Sequence, residues 1–119
     1  MNMNFKRKLP IPKVVKEEYP LTEKMAEIKT KRDAEIKNIL SGKDKRLLII
    51  IGPCSADNEE TVLDYLSRLK RLDEKVNEKL MIVPRIYTNK PRTTGDGYKG
   101  MLHQPNPNKD SDMLKGIIA

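Results

Sequence analysis

The sequence predicts an α/β fold built around a right-handed parallel βαβ unit. Two short apolar segments, "LLIII" at 47–51 and "LMIVPRIY" at 80–87, have the length and composition of strands. The segment between them has apolar residues at helical spacing and is long enough for a crossover helix. The loops that follow the two strands, "GPCS" and "NKPRTTG", are therefore expected at the same edge of the sheet.

An amino-terminal extension is predicted before the first strand, over residues 1–45. Residues 1–20 contain three prolines and scattered apolar groups, which indicates an extended arm rather than a core. A helix should then start at Thr22, whose hydroxyl can cap it, and end near Gly42. Its apolar residues share roughly one face: Met25, Ile28, Ile36 and Ile39.

The remainder, 46–119, holds the βαβ unit and the loop after it. The run "LLIII" stops at Gly52-Pro53, which is typical of a parallel strand buried on both faces. Asp57 or Asn58 can cap the crossover helix, and the acidic first turn suits its dipole. The apolar stripe of this helix is predicted to comprise Val62, Leu66, Leu69, Val76 and Leu80.

Composition narrows the class of protein. A chain of 119 residues with 37% hydrophobic residues, no Trp and one Phe allows at most one domain with a thin core. A net charge of +7 could attract nucleic acid, phosphate esters or a membrane surface. Most of this charge lies in mixed Lys/Glu helices, which favours solvated faces and no nucleic-acid or membrane partner.

Features of export are not expected. The longest apolar run has five residues, too few to span a bilayer, and the first residues lack the apolar core of a secretory signal. One cysteine excludes an internal disulfide and fits a reducing compartment. These observations predict a cytoplasmic protein.

Several residues could carry chemistry, and each has a plainer alternative. Cys54 is a candidate metal ligand or a small buried packing residue, and one thiolate does not make a metal site. Arg92 offers a planar fork for phosphate beside two threonines, although a basic surface turn would have the same spacing. Arg85 within an apolar strand would need an anionic partner if it pointed inward. His103 lies in a proline-rich loop and is expected to be solvent-exposed.

Two motifs together carry a family resemblance. "LLIIIGPCSADNEET" followed by "IVPRIYTNKPRTTGDGYKG" resembles the amino-terminal third of class I 3-deoxy-D-arabino-heptulosonate 7-phosphate (DAHP) synthases. "GPC" alone is shared with the related octulosonate 8-phosphate synthases, whereas "KPRTT" is similar to the DAHP branch. The resemblance implies that the chain is the first βαβ part of a (β/α)8 TIM barrel, incomplete here, after the family's amino-terminal extension.

The resemblance also implies an activity and a site. Such enzymes condense phosphoenolpyruvate with erythrose 4-phosphate to DAHP and phosphate, the first step of the shikimate pathway to aromatic amino acids. Cys54 would be the thiolate ligand of an essential divalent metal (Mn²⁺, Fe²⁺, Co²⁺ or Zn²⁺) that polarises the aldehyde. Arg85 and Lys90 would bind phosphoenolpyruvate, with Lys90 as the catalytic residue nearest the reacting centre. The residues implied for erythrose 4-phosphate are Pro91, Arg92, Thr93 and Thr94.

The family's remaining metal ligands and phosphate-binding residues come from later strands. The chain is therefore expected to be an amino-terminal fragment, inactive by itself, of an enzyme that forms a homo-oligomer. Two alternatives stay open: a non-catalytic basic binding protein, or a fragment that a separate chain complements.

Overall fold

The computed structural model describes residues 7–119, which form an α/β structure around a parallel pair of strands. The elements in chain order are α1 (Pro12–Glu18), α2 (Glu23–Leu40), β1 (Leu47–Ile51), α3 (Glu59–Val76), β2 (Leu80–Pro84) and α4 (Met113–Ile118). β1 and β2 are parallel, with Leu47 opposite Leu80 and Ile51 opposite Pro84. The predicted βαβ unit is thereby confirmed. Within the described residues, no helix combines the length and hydropathy required to cross a bilayer.

The predicted extended arm is helical over part of its length. Residues 1–6 of that arm lie outside the described residues, but Pro12–Glu18 form α1. Pro12 stands in the first turn, where its fixed φ suits a helix and its missing N–H leaves no donor unpaired. Lys and Glu residues, which favour helix, follow it. α1 buries none of its residues, so it adds no core.

Both predicted ends of α2 are confirmed. The Thr22 hydroxyl accepts a hydrogen bond from the amide of Met25 at 3.3 Å. At the other end, the amide of Gly42 donates to the carbonyl of Ile39 at 3.0 Å. These local bonds fix where the helix begins and ends, because they occupy backbone groups that the helix itself leaves unpaired.

The apolar face predicted for α2 is only partly covered. Ile36 and Ile39, in its second half, are half-buried. Met25 and Ile28, nearer its start, remain 57% and 54% exposed. Within the described chain, α2 contacts β1, and the second half of its apolar face is the better covered part.

β1 is not buried on both faces, contrary to the prediction. Leu47, Ile50 and Ile51 are 63%, 65% and 43% exposed. Among residues 7–119 the strand pairs only with β2, and α3 packs mainly against β2. An apolar sequence makes a strand suitable for burial, but the strand is buried only where other elements pack against it.

Asn58, not Asp57, caps α3. Its Oδ1 accepts hydrogen bonds from the amides of Glu60 at 2.8 Å and Thr61 at 3.3 Å. Glu59 and Glu60 occupy the first turn as expected, where their charges oppose the positive end of the helix dipole. The cap fixes the point at which the loop after β1 becomes helix.

The core of the described residues is thin, as predicted. Val62 and Leu69 of the predicted α3 stripe are buried, and Leu66 and Val76 are half-buried. The prediction was wrong for Leu80, which begins β2 after the helix has ended. Six buried apolar residues form the core: Ala56, Val62, Leu69, Met81, Ile82 and Met101.

β2 is shorter than the predicted strand at 80–87. It ends at Pro84. The amide of the next residue, Arg85, donates to the carbonyl of Ile51 at 2.8 Å. β1 itself ends at Ile51, so the ladder has no partner strand beyond this point. Residues 85–87 consequently lead into the loop that carries the candidate site.

Candidate anion-binding site at the carboxyl ends of the strands

The loops after β1 and β2 leave the same edge of the sheet and contact each other. This follows from the parallel register, in which Ile51 lies opposite Pro84. Nη1 of Arg85 donates to the carbonyl of Pro53, across the two loops, at 3.1 Å. The predicted juxtaposition of the loops is confirmed.

Gly52 permits this close approach. A Cβ atom at position 52 would lie 1.8 Å from the carbonyl oxygen of Arg85. Real atoms cannot approach so closely, so any side chain would force the two loops apart. The glycine that ends the apolar run therefore has a packing role at the site.

Arg85 follows β2 and points to the surface, so it is not an inward-facing strand residue. Its side chain is exposed, and its guanidinium carbon lies 4.6 Å from the centroid of the Tyr87 ring. That distance is within the range of a cation–π interaction. The arginine is thus oriented by a ring and a carbonyl while its charge stays available to an anion.

Ala56 connects three segments. It is fully buried, and its amide donates to the carbonyl of Tyr87 at 2.7 Å. Its carbonyl accepts from the amide of Met101 at 3.2 Å and from the hydroxyl of Tyr98 at 3.3 Å. The loop after β1, the loop after β2 and the segment at 98–101 are joined at this residue.

Tyr98 is held in its neutral form at this junction. Burial raises the pKa of its hydroxyl, and the nearby carboxylate of Asp57 raises it further. The hydroxyl therefore remains a hydrogen-bond donor over the neutral pH range.

We call residues 88–95, which include Lys90 and Arg92, the cationic loop. After the turn that contains Gly95 and Gly97 the chain returns along this loop, and we call residues 98–103 the return segment. The amide of Lys90 donates to the carbonyl of Lys99, and the amide of Leu102 donates to that of Thr88, both at 2.9 Å. Nε of Arg92 donates to the carbonyl of Tyr98 at 3.0 Å. The cationic loop is therefore supported along its length.

Gly100 allows the return segment to lie so close. It is buried with φ of 96°, a conformation that L side chains rarely adopt. A Cβ there would also lie 2.4 Å from the carbonyl oxygen of Thr88. Both constraints require glycine.

A basic cavity of about 220 Å³ lies between the cationic loop and the return segment. We call it the basic cavity; it is lined by Asn89, Lys90, Pro91, Arg92, Gly95, Lys99 and His103. No acidic residue belongs to this lining. None of its cations forms an ion pair with an acidic residue of the described chain. A small cavity with unpaired cations and no carboxylate suits an anion.

The structure gathers some of the predicted site residues and leaves others apart. Lys90, Pro91 and Arg92 line the basic cavity, with Lys90 half-buried and Arg92 exposed. Thr93 and Thr94 are exposed in the turn that follows. Arg85 and Cys54 lie on the neighbouring loops and do not line the cavity.

His103 is not the solvent-exposed loop residue that the sequence predicts. It is half-buried, and its amide donates to the carbonyl of Gly100 at 3.1 Å. Its carbonyl accepts from the amide of Asp112 at 2.9 Å. The prediction failed because the surrounding prolines indicate a loop but not that the loop folds back on the site.

Cys54 is exposed, which does not support its alternative role as a buried packing residue. Residues 7–119 contain no group of three or more His, Cys, Asp or Glu side chains that could hold a metal ion.

A larger cavity, of about 770 Å³, lies at the opposite end of the strands, where Arg46 precedes β1. Its lining includes four acidic residues, Glu35, Asp44, Asp73 and Glu78, beside its cations. Arg46 forms ion pairs with Asp44 at 2.7 Å and with Glu35 at 3.1 Å. The smaller basic cavity is the better candidate for an anion because its cations lack such partners.

The chain is similar in sequence to one group of known proteins. The family model described as DAHP synthetase I family matches residues 18–117. The phenylalanine-inhibited phospho-2-dehydro-3-deoxyheptonate aldolase of Saccharomyces cerevisiae is 39% identical over 89% of this chain and 28% of its own length. The aldolase of that name from Haemophilus influenzae is 42% identical over 89% of this chain and 29% of its own length.

A solved structure shows the same similarity in three dimensions. The aldolase of Francisella tularensis superposes with a TM-score of 0.86 at 30% identity, covering 98% of this chain and 34% of the other. This chain therefore spans about a third of the solved protein.

Proposed function

The chain belongs to the DAHP synthetase I family, and on this premise we propose that the whole protein condenses phosphoenolpyruvate with erythrose 4-phosphate to DAHP and phosphate. The observation that carries the proposal is the basic cavity, which has unpaired cations at the carboxyl ends of parallel strands. Active sites of α/β folds occur at that edge. The relatives from Saccharomyces cerevisiae and Haemophilus influenzae are named phospho-2-dehydro-3-deoxyheptonate aldolase.

The βαβ unit is proposed to be the first part of a (β/α)8 barrel. The high TM-score over 98% of the chain supports the same local arrangement as in a much longer protein. A barrel needs roughly 250 residues. The exposed apolar residues of β1, Leu47, Ile50 and Ile51, would be covered by strands and helices outside this chain.

The proposed roles follow from charge and position. Arg92 binds the phosphate of erythrose 4-phosphate with its guanidinium fork, beside Pro91 and the hydroxyls of Thr93 and Thr94. Arg85, on the adjacent loop, binds phosphoenolpyruvate together with Lys90. Two anionic substrates repel each other, and fixed cations offset that repulsion without rearranging during the reaction.

Lys90 is proposed as the catalytic residue because it lies in the chain between the two binding arginines and is half-buried. The enol carbon of phosphoenolpyruvate attacks the aldehyde carbon, and the negative charge that develops is stabilised by the Lys90 ammonium. Water then adds to the adjacent carbon, and phosphate leaves with cleavage of the carbon–oxygen bond.

Cys54 is proposed as one ligand of a divalent metal in the whole protein. Its exposure beside the site supports this role. Residues 7–119 supply only part of such a site, and a metal bound there would polarise the aldehyde of erythrose 4-phosphate. We also propose that the whole protein is a homo-oligomer and is located in the cytoplasm. The single cysteine supports the cytoplasmic location.

A chimera tests the function. This chain replaces the matched segment of the Haemophilus influenzae aldolase, and phosphate release is measured with both substrates and with each omitted. We expect release that requires both substrates and is lost in Arg92→Gln. Lys79→Gln, an exposed lysine before β2, is the matched control and should retain activity. A folded chimera that binds neither substrate would refute the proposal.

A further inference from the structure

We infer that the return segment forms a second wall of the erythrose 4-phosphate site, in which Lys99 and His103 bind the phosphate together with Arg92. The inference rests on the proposed function and adds two binding residues outside the "KPRTT" motif. Both residues line the basic cavity that Lys90 and Arg92 also line.

The two walls are fixed relative to each other. Backbone hydrogen bonds join Lys90 to Lys99 and Leu102 to Thr88, each at 2.9 Å. Gly100 removes the side chain that would otherwise separate the walls. Lys99 and His103 are thus held opposite the cationic loop before any ligand arrives, and such preorganisation lowers the cost of binding.

Charge supports an anionic ligand between the walls. The cavity is lined by Lys90, Arg92, Lys99 and His103, and its lining includes no acidic residue of the described chain. Like charges that line one cavity repel each other, and in the described chain no acidic residue forms an ion pair with them. A doubly charged phosphate would relieve this repulsion.

The Arg92 side chain is already oriented for such a ligand. Its Nε donates to the carbonyl of Tyr98 at 3.0 Å. Within the part of the chain that the structure describes, its terminal nitrogens have no acceptor. The return segment therefore contributes a backbone carbonyl that orients Arg92 as well as two side chains that complete the site.

The test measures equilibrium binding to the chimera by isothermal titration calorimetry, with erythrose 4-phosphate and phosphoenolpyruvate added separately. Lys99→Gln and His103→Gln are each expected to weaken the affinity for erythrose 4-phosphate by about tenfold or more, the loss of one hydrogen bond to a charged group. Phosphoenolpyruvate affinity should be unchanged. Lys99→Arg should retain affinity, and Lys79→Gln controls for net charge.

The outcomes separate the inference from the proposed function. If Arg92→Gln weakens the affinity for erythrose 4-phosphate but Lys99→Gln and His103→Gln do not, the inferred roles of Lys99 and His103 are wrong and the proposed function stands. If the unmodified chimera fails to bind erythrose 4-phosphate, both are wrong. Selective weakening in both return-segment variants, with Lys99→Arg unaffected, supports the inference.

Discussion

At the scale of single residues, we predict that the geometry of Arg92 matters more than its charge for binding erythrose 4-phosphate. A lysine at this position keeps the charge but loses the planar fork and the Nε that donates to Tyr98. In the chimera, Arg92→Lys should raise the KM for erythrose 4-phosphate by a factor that corresponds to about 1.5–3 kcal/mol, with little change for phosphoenolpyruvate. Steady-state kinetics with each substrate varied in turn measures this difference. Equal effects on both substrates would contradict the assignment.

A substitution at Cys54 tests the proposed metal-binding role independently of the substrate-binding residues. Serine is nearly isosteric with cysteine but carries a hydroxyl that does not ionise at neutral pH, so it is a poor ligand for a soft or borderline metal. Cys54→Ser in the chimera should lose bound metal and turnover together, while the melting temperature of the metal-free protein stays unchanged because the side chain is exposed. Metal content by mass spectrometry is compared with turnover. Full metal content in the variant would show that the thiol is not a ligand.

At the scale of elements, the start of α3 depends on one side chain. Asn58→Ala removes the acceptor of two amides, which costs about 1 kcal/mol of stability. Asp57→Ala is the matched control one residue earlier, because the cap hydrogen bonds go to Asn58. Urea unfolding of the chimera should show the loss for Asn58→Ala alone. A comparable loss in both variants would indicate that Asp57 shares the cap.

The connection between α2 and β1 should weaken in acid. Hydrogen bonds from Arg46 lower the pKa of Asp44 below its ordinary value. A carboxyl group with a lowered folded-state pKa stabilises the fold above its unfolded pKa, about 3.9, and this contribution is lost as the pH falls through the folded value. Urea midpoints measured from pH 7 to pH 3 should therefore fall less for Asp44→Asn than for the unmodified chimera. If the urea midpoints of the two proteins fell equally with pH, ionisation of Asp44 would not contribute to the stability of the fold.

At the scale of the whole molecule, the chain is extended rather than compact. Its radius of gyration is 17.8 Å, whereas a compact domain of this length would have roughly 13.5 Å. In the described residues the sheet has two strands, so the loops of the site lack the walls that the rest of the proposed barrel would supply. We expect the isolated 119-residue polypeptide to release no phosphate from the two substrates, even with added Mn²⁺. Release that requires both substrates, from pure polypeptide, would contradict this.

The sequence by itself determined the local structure. Thr22 and Gly42 limit α2 through bonds within a few residues, and the apolar runs specify strands whose parallel order follows from the crossover. The same order predicted that the loops after β1 and β2 meet, because the ends of parallel strands share an edge. The motif residues Lys90, Pro91 and Arg92 were also identifiable, since they are contiguous in the chain.

The tertiary structure alone decided which residues are covered and which distant segments meet. β1 has an apolar sequence but stays exposed, because burial depends on elements that pack against a strand and not on the strand itself. His103 joins the basic cavity because Gly100 lets the chain return along the cationic loop, a contact between segments that no periodicity encodes. Sequence patterns report interactions within a few residues, whereas a binding site is completed by contacts that only folding brings together.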